Sequence, residues 1–132
     1  MFKILIVSHG DLAEAMLKSA EMICGAQEDV VAIGLQPEQS PEELGQMIAD
    51  TCDRWSRDDV MVFTDLFSGT PSNVVARVLD GKGFQHISGV NLALLVEALM
   101  CRDSMSALET AGELISMAGE TIVDVNLILQ GS

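Results

Sequence analysis

The chain has 132 residues, of which 48% are hydrophobic and 20% charged, a composition that excludes a disordered protein and predicts one globular domain over residues 1–132. Seven basic against twenty acidic residues give a formal net charge of −13, which opposes binding to nucleic acid or to an anionic membrane surface. Aromatic residues make up only 4%, so the core is expected to be aliphatic and no aromatic platform for stacking bases is expected.

The sequence predicts neither a membrane span nor a structural metal site. The apolar run VNLALLVEALM is interrupted by Glu97 and is far shorter than the roughly 20 residues that cross a bilayer, so direct membrane insertion is not expected. Cys24, Cys52 and Cys101 are odd in number and lack CxxC spacing, which suggests neither a disulfide framework nor a zinc site, and no cofactor is predicted. Without the pattern of a secretory leader, the expected location is the reducing cytoplasm.

The first half of the chain alternates strand and helix patterns. Continuous apolar runs predict buried strands at 3–8 and 30–35, and each precedes apolar residues at helical spacing, at 11–24 and 40–55. The second of these helices opens with the sequence Ser-Pro-Glu-Glu, residues 40–43, which is typical of a capping box with proline at the first helical position.

The second half continues the alternation and completes the predicted fold. The expected elements are a strand at 60–65, a helix at 71–79, a strand at 84–90, helices at 91–101 and 106–118, and a last strand at 121–129. This order predicts an α/β fold with a doubly wound, mostly parallel sheet flanked by helices. We expect the strand order 2-1-3-4, as in flavodoxin-like sheets, with the C-terminal strand added antiparallel.

Two polar strand ends mark the expected site, because ligands of open α/β sheets bind outside the carboxyl ends of the strands. These ends are Ser8-His9-Gly10 and Thr64-Asp65. In the order 2-1-3-4 the first and third strands are neighbours about 5 Å apart, so that His9 and Asp65 can meet. A carboxylate that holds one imidazole nitrogen fixes the tautomer and leaves the other nitrogen as a base or nucleophile.

The surroundings of this pair favour an anion. Helices predicted to begin near residues 11 and 70 would point free N–H groups and positive dipole ends at the site. Gly10 and Gly69 would let the backbone approach closely, and Thr70 adds a hydroxyl. The pattern therefore suggests that His9 accepts a phosphoryl group.

Purely structural roles remain open for each of these residues. Asp11, with Glu14 three residues later, is typical of a helix N-cap, and its carboxylate would compete with a bound anion for the same N–H groups. Asp65 could cap a turn, and Thr70, which precedes a proline, could be only an N-cap. His86 lies within a predicted strand and is expected to be structural.

Three ordered motifs cover almost the whole chain. IVSHGDLAEAML, FTDLFSGTPSN and GVNLALLVEALM together resemble the mannose/fructose-type IIA component of the bacterial phosphoenolpyruvate-dependent sugar phosphotransferase system. The resemblance implies a cytoplasmic phosphocarrier that accepts a phosphoryl group from the phosphocarrier protein HPr and passes it to a IIB component. By the same match, His9 is the phosphorylated histidine, Asp65 orients its ring and Thr70 lies beside the phosphoryl group.

The resemblance also implies a homodimer, in which a C-terminal strand crosses to the partner, here residues 121–129. This chain departs from the family pattern where Ser68 replaces a common glycine and where Leu66-Phe67 replaces a pair that often includes tryptophan. These departures concern the docking surface more than the chemistry.

Other functions share some of these features. A small-molecule phosphate-binding module would use SGTPSN as an anion cradle, with His9 only a hydrogen-bond donor. A hydrolase would use Ser68, His9 and Asp65, but the sequence FSGT lacks the G-x-S-x-G signature of a strand-to-helix elbow. A regulatory phosphoprotein without a transport role is a third alternative.

Overall fold

A four-stranded parallel sheet lies at the centre of the structure, a computed structural model that describes residues 1–131. Its strands are β1 (Lys3–His9), β2 (Val30–Leu35), β3 (Val60–Thr64) and β4 (Gln85–Ser88). The spatial order is β2-β1-β3-β4, which confirms the predicted order 2-1-3-4. Because β1 is an inner strand, Val7 lies beside both Ile33 of β2 and Thr64 of β3.

Helices pack on both faces of this sheet. These are α1 (Leu12–Cys24), α2 (Pro41–Arg54), α3 (Thr70–Val78), α4 (Leu92–Cys101) and α5 (Ala107–Met117), whereas the short helix α6 (Val125–Gln130) contributes no buried residue. None of these helices, within the part of the chain described, combines the length and the hydropathy of a membrane span.

Alternate residues of the strands supply two separate cores, since successive side chains of a strand point to opposite faces. Ile4 and Ile6 of β1 pack with α1, α4 and α5, whereas Leu5 and Val7 pack with α2 and α3. All four side chains are at most 1% exposed, so β1 is buried on both faces, as its continuous apolar run predicts.

Polar side chains fix the starts of several helices where the sequence predicts them. Ser40 and Glu43 form the expected capping box, in which Ser40 Oγ accepts from the Glu43 N–H at 3.1 Å and Glu43 Oε1 accepts from the Ser40 N–H at 3.2 Å. Ser106 begins α5 with the same motif, and the Asn91 side chain caps α4. These helices therefore begin within one residue of the predicted starts.

The predicted C-terminal strand at 121–129 is wrong in this structure. A 3₁₀ turn covers Ala118–Thr121 and helix α6 follows, capped by Asp124, whose side chain accepts from the Leu127 N–H at 3.2 Å. An antiparallel strand needs a neighbouring edge, and within residues 1–131 the segment pairs with no strand. Its apolar side chains are consequently exposed: Ile122, Val123, Val125, Leu127, Ile128 and Leu129.

A buried arginine joins segments at the opposite end of the sheet from the strand carboxyl ends. Arg102 is 1% exposed and follows α4 directly. Its guanidinium donates to the carbonyl oxygens of Phe2 at 3.1 Å and Glu28 at 2.9 Å, and to Gln27 Oε1 at 3.3 Å. These bonds satisfy a buried charge by fixing the start of β1 to the connection between α1 and β2.

Candidate functional site

The candidate site lies at the carboxyl ends of the neighbouring strands β1 and β3. His9 is the last residue of β1 and Asp65 directly follows β3. Asp65 Oδ2 lies 2.8 Å from His9 Nδ1 and 2.9 Å from the His9 backbone nitrogen. The structure thus brings together the two residues that the sequence predicts to meet.

The Asp65 carboxylate is held in its ionised form. Burial by itself would raise its pKa, but hydrogen bonds from the His9 backbone, the His9 ring and the Leu66 N–H together outweigh burial and hold the pKa below its usual value. An ionised carboxylate only accepts hydrogen bonds, so the proton between the two side chains belongs to His9 Nδ1. In the neutral ring, Nε2 then carries a free lone pair, and the His9 side chain is 49% exposed.

Gly69 borders the free edge of the His9 ring. A Cβ atom placed on Gly69 would lie 3.1 Å from His9 Cε1 and 3.7 Å from Nε2, so a side chain here would crowd the ring. Gly69 is also the N-cap of α3, so the alternative that Thr70 is only an N-cap is wrong: Thr70 is the first residue of the helix. The first N–H groups of a helix have no intrahelical acceptor, so this end of α3 offers donors beside the ring.

A sharp turn carries the chain from His9 into α1. Gly10 adopts a left-handed conformation with φ of 52°, and its N–H donates to the Leu35 carbonyl of β2 at 2.8 Å. Such a φ favours glycine. The left-handed turn therefore explains why residue 10 is glycine, in addition to the close approach to an anion that the sequence suggests.

The predicted capping role of the Asp11 side chain is wrong, and Ser8 performs it instead. Asp11 occupies the N-cap position without a side-chain capping bond, and its carboxylate accepts from Gln36 Nε2 at 3.3 Å. The buried Ser8 Oγ accepts from the Ala13 N–H at 2.8 Å. Glu14 does not complete a capping box but lies 3.5 Å from Lys18. The expected competition between Asp11 and an anion for these N–H groups therefore does not arise.

His86 lies apart from this site. It belongs to β4, where its Nε2 shares a 2.9 Å hydrogen bond with the Thr64 hydroxyl. Burial lowers the pKa of His86, which keeps the ring neutral and agrees with the structural role predicted for it.

Three exposed apolar residues close in sequence to His9 and Asp65 form an apolar rim: Leu12, Leu66 and Phe67. Leu66 and Phe67, which follow Asp65, are 62% and 83% exposed, and Leu12 is 46% exposed. Leu12 also lines a shallow groove of about 230 Å³ that extends along α1 to Leu92 of α4. Exposed apolar groups around a polar centre are typical of a surface that docks another protein.

The shape of the site disfavours the alternative chemistries. The His9 side chain is half exposed, and a larger cavity, of about 480 Å³, lies away from it, between the C-terminal ends of α1 and α4. Within residues 1–131 no hydrogen bond joins Ser68 to His9, as a serine hydrolase would need, and no group of three or more His, Cys, Asp or Glu side chains could hold a metal ion.

Comparison with known proteins gives consistent matches over most of the chain. The family model described as "PTS system fructose IIA component" matches residues 3–115. The mannose-specific EIIAB component of Escherichia coli K12 is 37% identical over 120 residues, 89% of this chain but 36% of that protein, so the chain spans about a third of that relative.

Two further matches cover most of this chain and most of the matching chain. The sorbose-specific EIIA component of Lacticaseibacillus casei is 29% identical over 119 residues, which cover 89% of this chain and 86% of that protein. The crystal structure of EIIA from Streptococcus agalactiae superposes with a TM-score of 0.89 and 31% identity, covering 96% of this chain and 99% of that one.

Proposed function

Since the chain belongs to the family of mannose/fructose-type IIA components of the sugar phosphotransferase system, we propose that it carries a phosphoryl group on His9. It accepts this group from phosphorylated HPr and passes it to a IIB component of a sugar transport system. The observation that carries the proposal is the hydrogen bond of 2.8 Å between His9 Nδ1 and Asp65 Oδ2, which leaves Nε2 as the nucleophile.

The transfer is a displacement at phosphorus. The Nε2 lone pair of His9 forms the new N–P bond while the N–P bond of the donor phosphohistidine breaks, and the donor imidazole keeps the electron pair. The positive charge that develops on the His9 ring is balanced by the Asp65 carboxylate. In the second step, a nucleophile of the IIB component attacks the same phosphorus, and the His9 ring leaves with its electrons.

Backbone groups around Nε2 receive the phosphoryl oxygens in this proposal. Gly69 leaves room beside the ring, and the N-terminal end of α3 offers N–H groups and a positive dipole end. Thr70, at the first helical position, supplies a hydroxyl donor, and Gly10 continues the chain from His9 in a left-handed turn without a side chain. Together these groups stabilise the charge on the transferring group.

A protein donor suits this surface better than ATP. The sequence has no G-x-x-x-x-G-K-[ST] loop, and a net charge of −13 opposes a free polyanionic nucleotide. The apolar rim of Leu12, Leu66 and Phe67 instead suits docking of HPr and IIB in turn, and the acidic surface assists approach of a basic partner. We place this exchange in the cytoplasm.

The proposal includes a homodimer formed through the C-terminal segment. Residues 122–129 carry a run of exposed apolar side chains, and β4 is an edge strand of the sheet. A second copy of the chain would cover both features by the same contact repeated about a twofold axis.

Phosphorylation with purified components tests the proposed function. The chain is incubated with HPr, the enzyme that phosphorylates HPr and phosphoenolpyruvate, and its intact mass is measured. We expect one acid-labile phosphoryl group on the wild type, none on His9→Ala and one on the control His86→Gln. ATP with magnesium alone should leave the chain unmodified. Labelling by ATP alone, or undiminished labelling of His9→Ala, would refute the proposed phosphocarrier function.

A further inference from the structure

We propose that Gly34 of strand β2 is a positioning residue for phosphoryl transfer, because its missing side chain leaves the space in which the turn after His9 sits. The inference rests on the proposed function of His9 for its kinetic consequence. Its structural part, that residue 34 controls the placement of the His9 ring, stands on geometry alone.

The space at Gly34 is filled by the backbone of Gly10. A Cβ atom placed on Gly34 would overlap the Gly10 carbonyl oxygen and lie 2.9 Å from the Gly10 carbonyl carbon. These are backbone atoms, which cannot rotate away as the end of a side chain can. Gln36 Nε2, at 3.2 Å from the same point, is the end of a flexible side chain and can move.

Glycine is required at residue 34 for space and not for backbone conformation. The left-handed glycines of the described chain are Gly10, Gly25, Gly81, Gly83 and Gly89, and Gly34 is not among them. A glycine inside a strand weakens the strand and often marks a place where another backbone approaches closely.

Both polar groups of the Gly10 residue are therefore placed by β2. The Gly10 N–H donates to the Leu35 carbonyl at 2.8 Å, and the Gly10 carbonyl lies against Gly34. In the sheet, His9 is in register with Leu35 and Ser8 with Gly34. A side chain at residue 34 would have to push Gly10 away from β2, and His9 would move with it.

His9 tolerates little movement because its partner lies on the other side, on β3. The Asp65 carboxylate contacts both the ring and the backbone N–H of His9, at 2.8 and 2.9 Å. Displacement of the turn would lengthen the bond to Nδ1 and turn Nε2 away from the start of α3. A misplacement of about 1 Å at a reacting group can slow a reaction by about 100-fold.

The test compares Gly34→Ala with Gly45→Ala. Gly45 lies in α2, where an added Cβ would make ordinary contacts with Val74 at 3.5 Å and Val78 at 3.9 Å and none with the turn after His9. Two properties are measured: the single-turnover rate of transfer from phospho-HPr at saturating donor, and the nitrogen chemical shifts of the His9 ring in the free protein. For Gly34→Ala we expect the transfer rate to fall by about tenfold or more and the His9 nitrogen signals to shift. The half-saturating HPr concentration should not change. Gly45→Ala should match the wild type in all three.

If Gly34→Ala alone does not fold, the double variant with Gly45→Ala is used, because alanine favours the helical backbone of α2. Wild-type nitrogen shifts in the folded variant would overturn the proposal, whatever the rate. So would a rate within twofold of the wild type when phospho-HPr labels the wild type. Failure of both variants to fold would overturn it too, by showing that the strand and not the turn requires glycine. If the wild type is not labelled, the carrier function fails, and the ring signals still decide the role of Gly34.

Discussion

A single carboxylate oxygen, Oδ2 of Asp65, accepts hydrogen bonds from both the ring Nδ1 and the backbone N–H of His9. The ring is therefore held relative to its own main chain as well as to β3. An imidazole with one defined nitrogen fixed in this way presents the other nitrogen in a single orientation, which removes a search over ring rotamers before reaction.

Removing the charge of Asp65 should slow transfer without removing the acceptor. In Asp65→Asn the volume is kept, but the negative charge that the proposed mechanism needs beside a phosphorylated His9 is lost, so we expect the rate to fall by about tenfold or more. Rapid-quench measurement with phospho-HPr checks the rate, and Asp11→Asn, an exposed carboxylate bonded to Gln36, is the control. A rate equal to that of the wild type would show that the His9–Asp65 bond does not assist transfer.

Asp65 should also make the stability of the fold depend on pH. Its pKa is lower in the folded chain than the ordinary value of 3.8, so its stabilising contribution is fully present above that value and is lost as the pH falls through the lower folded value. We expect Asp65→Asn to be about 1 kcal/mol less stable than the wild type near pH 7, with a smaller difference near pH 3. Urea unfolding at both pH values measures this. A difference that grows on acidification would contradict it.

Ser8 should matter more for the stability of α1 than Asp11. Ser8→Ala removes the acceptor of the buried Ala13 N–H and should lower the free energy of unfolding by about 1–2 kcal/mol. Asp11→Ala removes only an exposed bond to Gln36 and should change it by less than about 0.5 kcal/mol. Urea unfolding of the two variants measures both losses of unfolding free energy. A larger loss in Asp11→Ala than in Ser8→Ala would show that the Asp11 side chain caps α1.

Phe67 should contribute to docking and not to folding. Its side chain is 83% exposed, so Phe67→Ala should leave the unfolding free energy within about 0.5 kcal/mol of the wild type. The half-saturating concentration of phospho-HPr should rise about tenfold, as for loss of an aromatic anchor at an interface. Met22→Ala, 89% exposed near the C-terminal end of α1, is the control and should change neither. An unchanged half-saturation in Phe67→Ala would exclude Phe67 from the docking surface.

The exposed C-terminal segment should hold two copies together. Ile122 and Ile128 are 81% and 60% exposed, and the double variant Ile122→Glu, Ile128→Glu would bring like charges into the proposed contact. Sedimentation velocity should show a dimer for the wild type and a monomer with an unchanged far-UV circular dichroism spectrum for the variant. A wild-type chain that stays monomeric at high micromolar concentration would contradict the proposed dimer.

The sheet and the His9–Asp65 pair follow from the sequence because their signals are local. Continuous apolar runs define β1 and β3, and the first polar residues after each run must lie at the same edge of a parallel sheet. Once strands 1 and 3 are neighbours, the meeting of His9 and Asp65 follows from strand spacing alone.

Ser8 and Gly34 could not be found in this way. Ser8 lies inside a strand pattern, and its capping bond spans five residues, from Ser8 Oγ to the Ala13 N–H, whereas Asp11 matches the local capping pattern better. The importance of Gly34 depends on the approach of Gly10 from another segment, which no local periodicity records.

The wrong strand at 121–129 has a different cause. Short apolar alternation satisfies a strand pattern, but Asp124 at an N-cap position is a start signal for a helix over the same residues. In the described single chain the segment pairs with neither edge strand of the sheet, β2 or β4, and α6 forms.

Arg102 fixes an order of events in biosynthesis. Its guanidinium binds the carbonyl groups of Phe2 and Glu28, and translation supplies those residues long before residue 102. Until then, a nascent chain lacks this cation at the start of its central strand. The start of β1 therefore gains its full set of native hydrogen bonds only after Arg102 has left the ribosome, even though β1 is the first strand to be made.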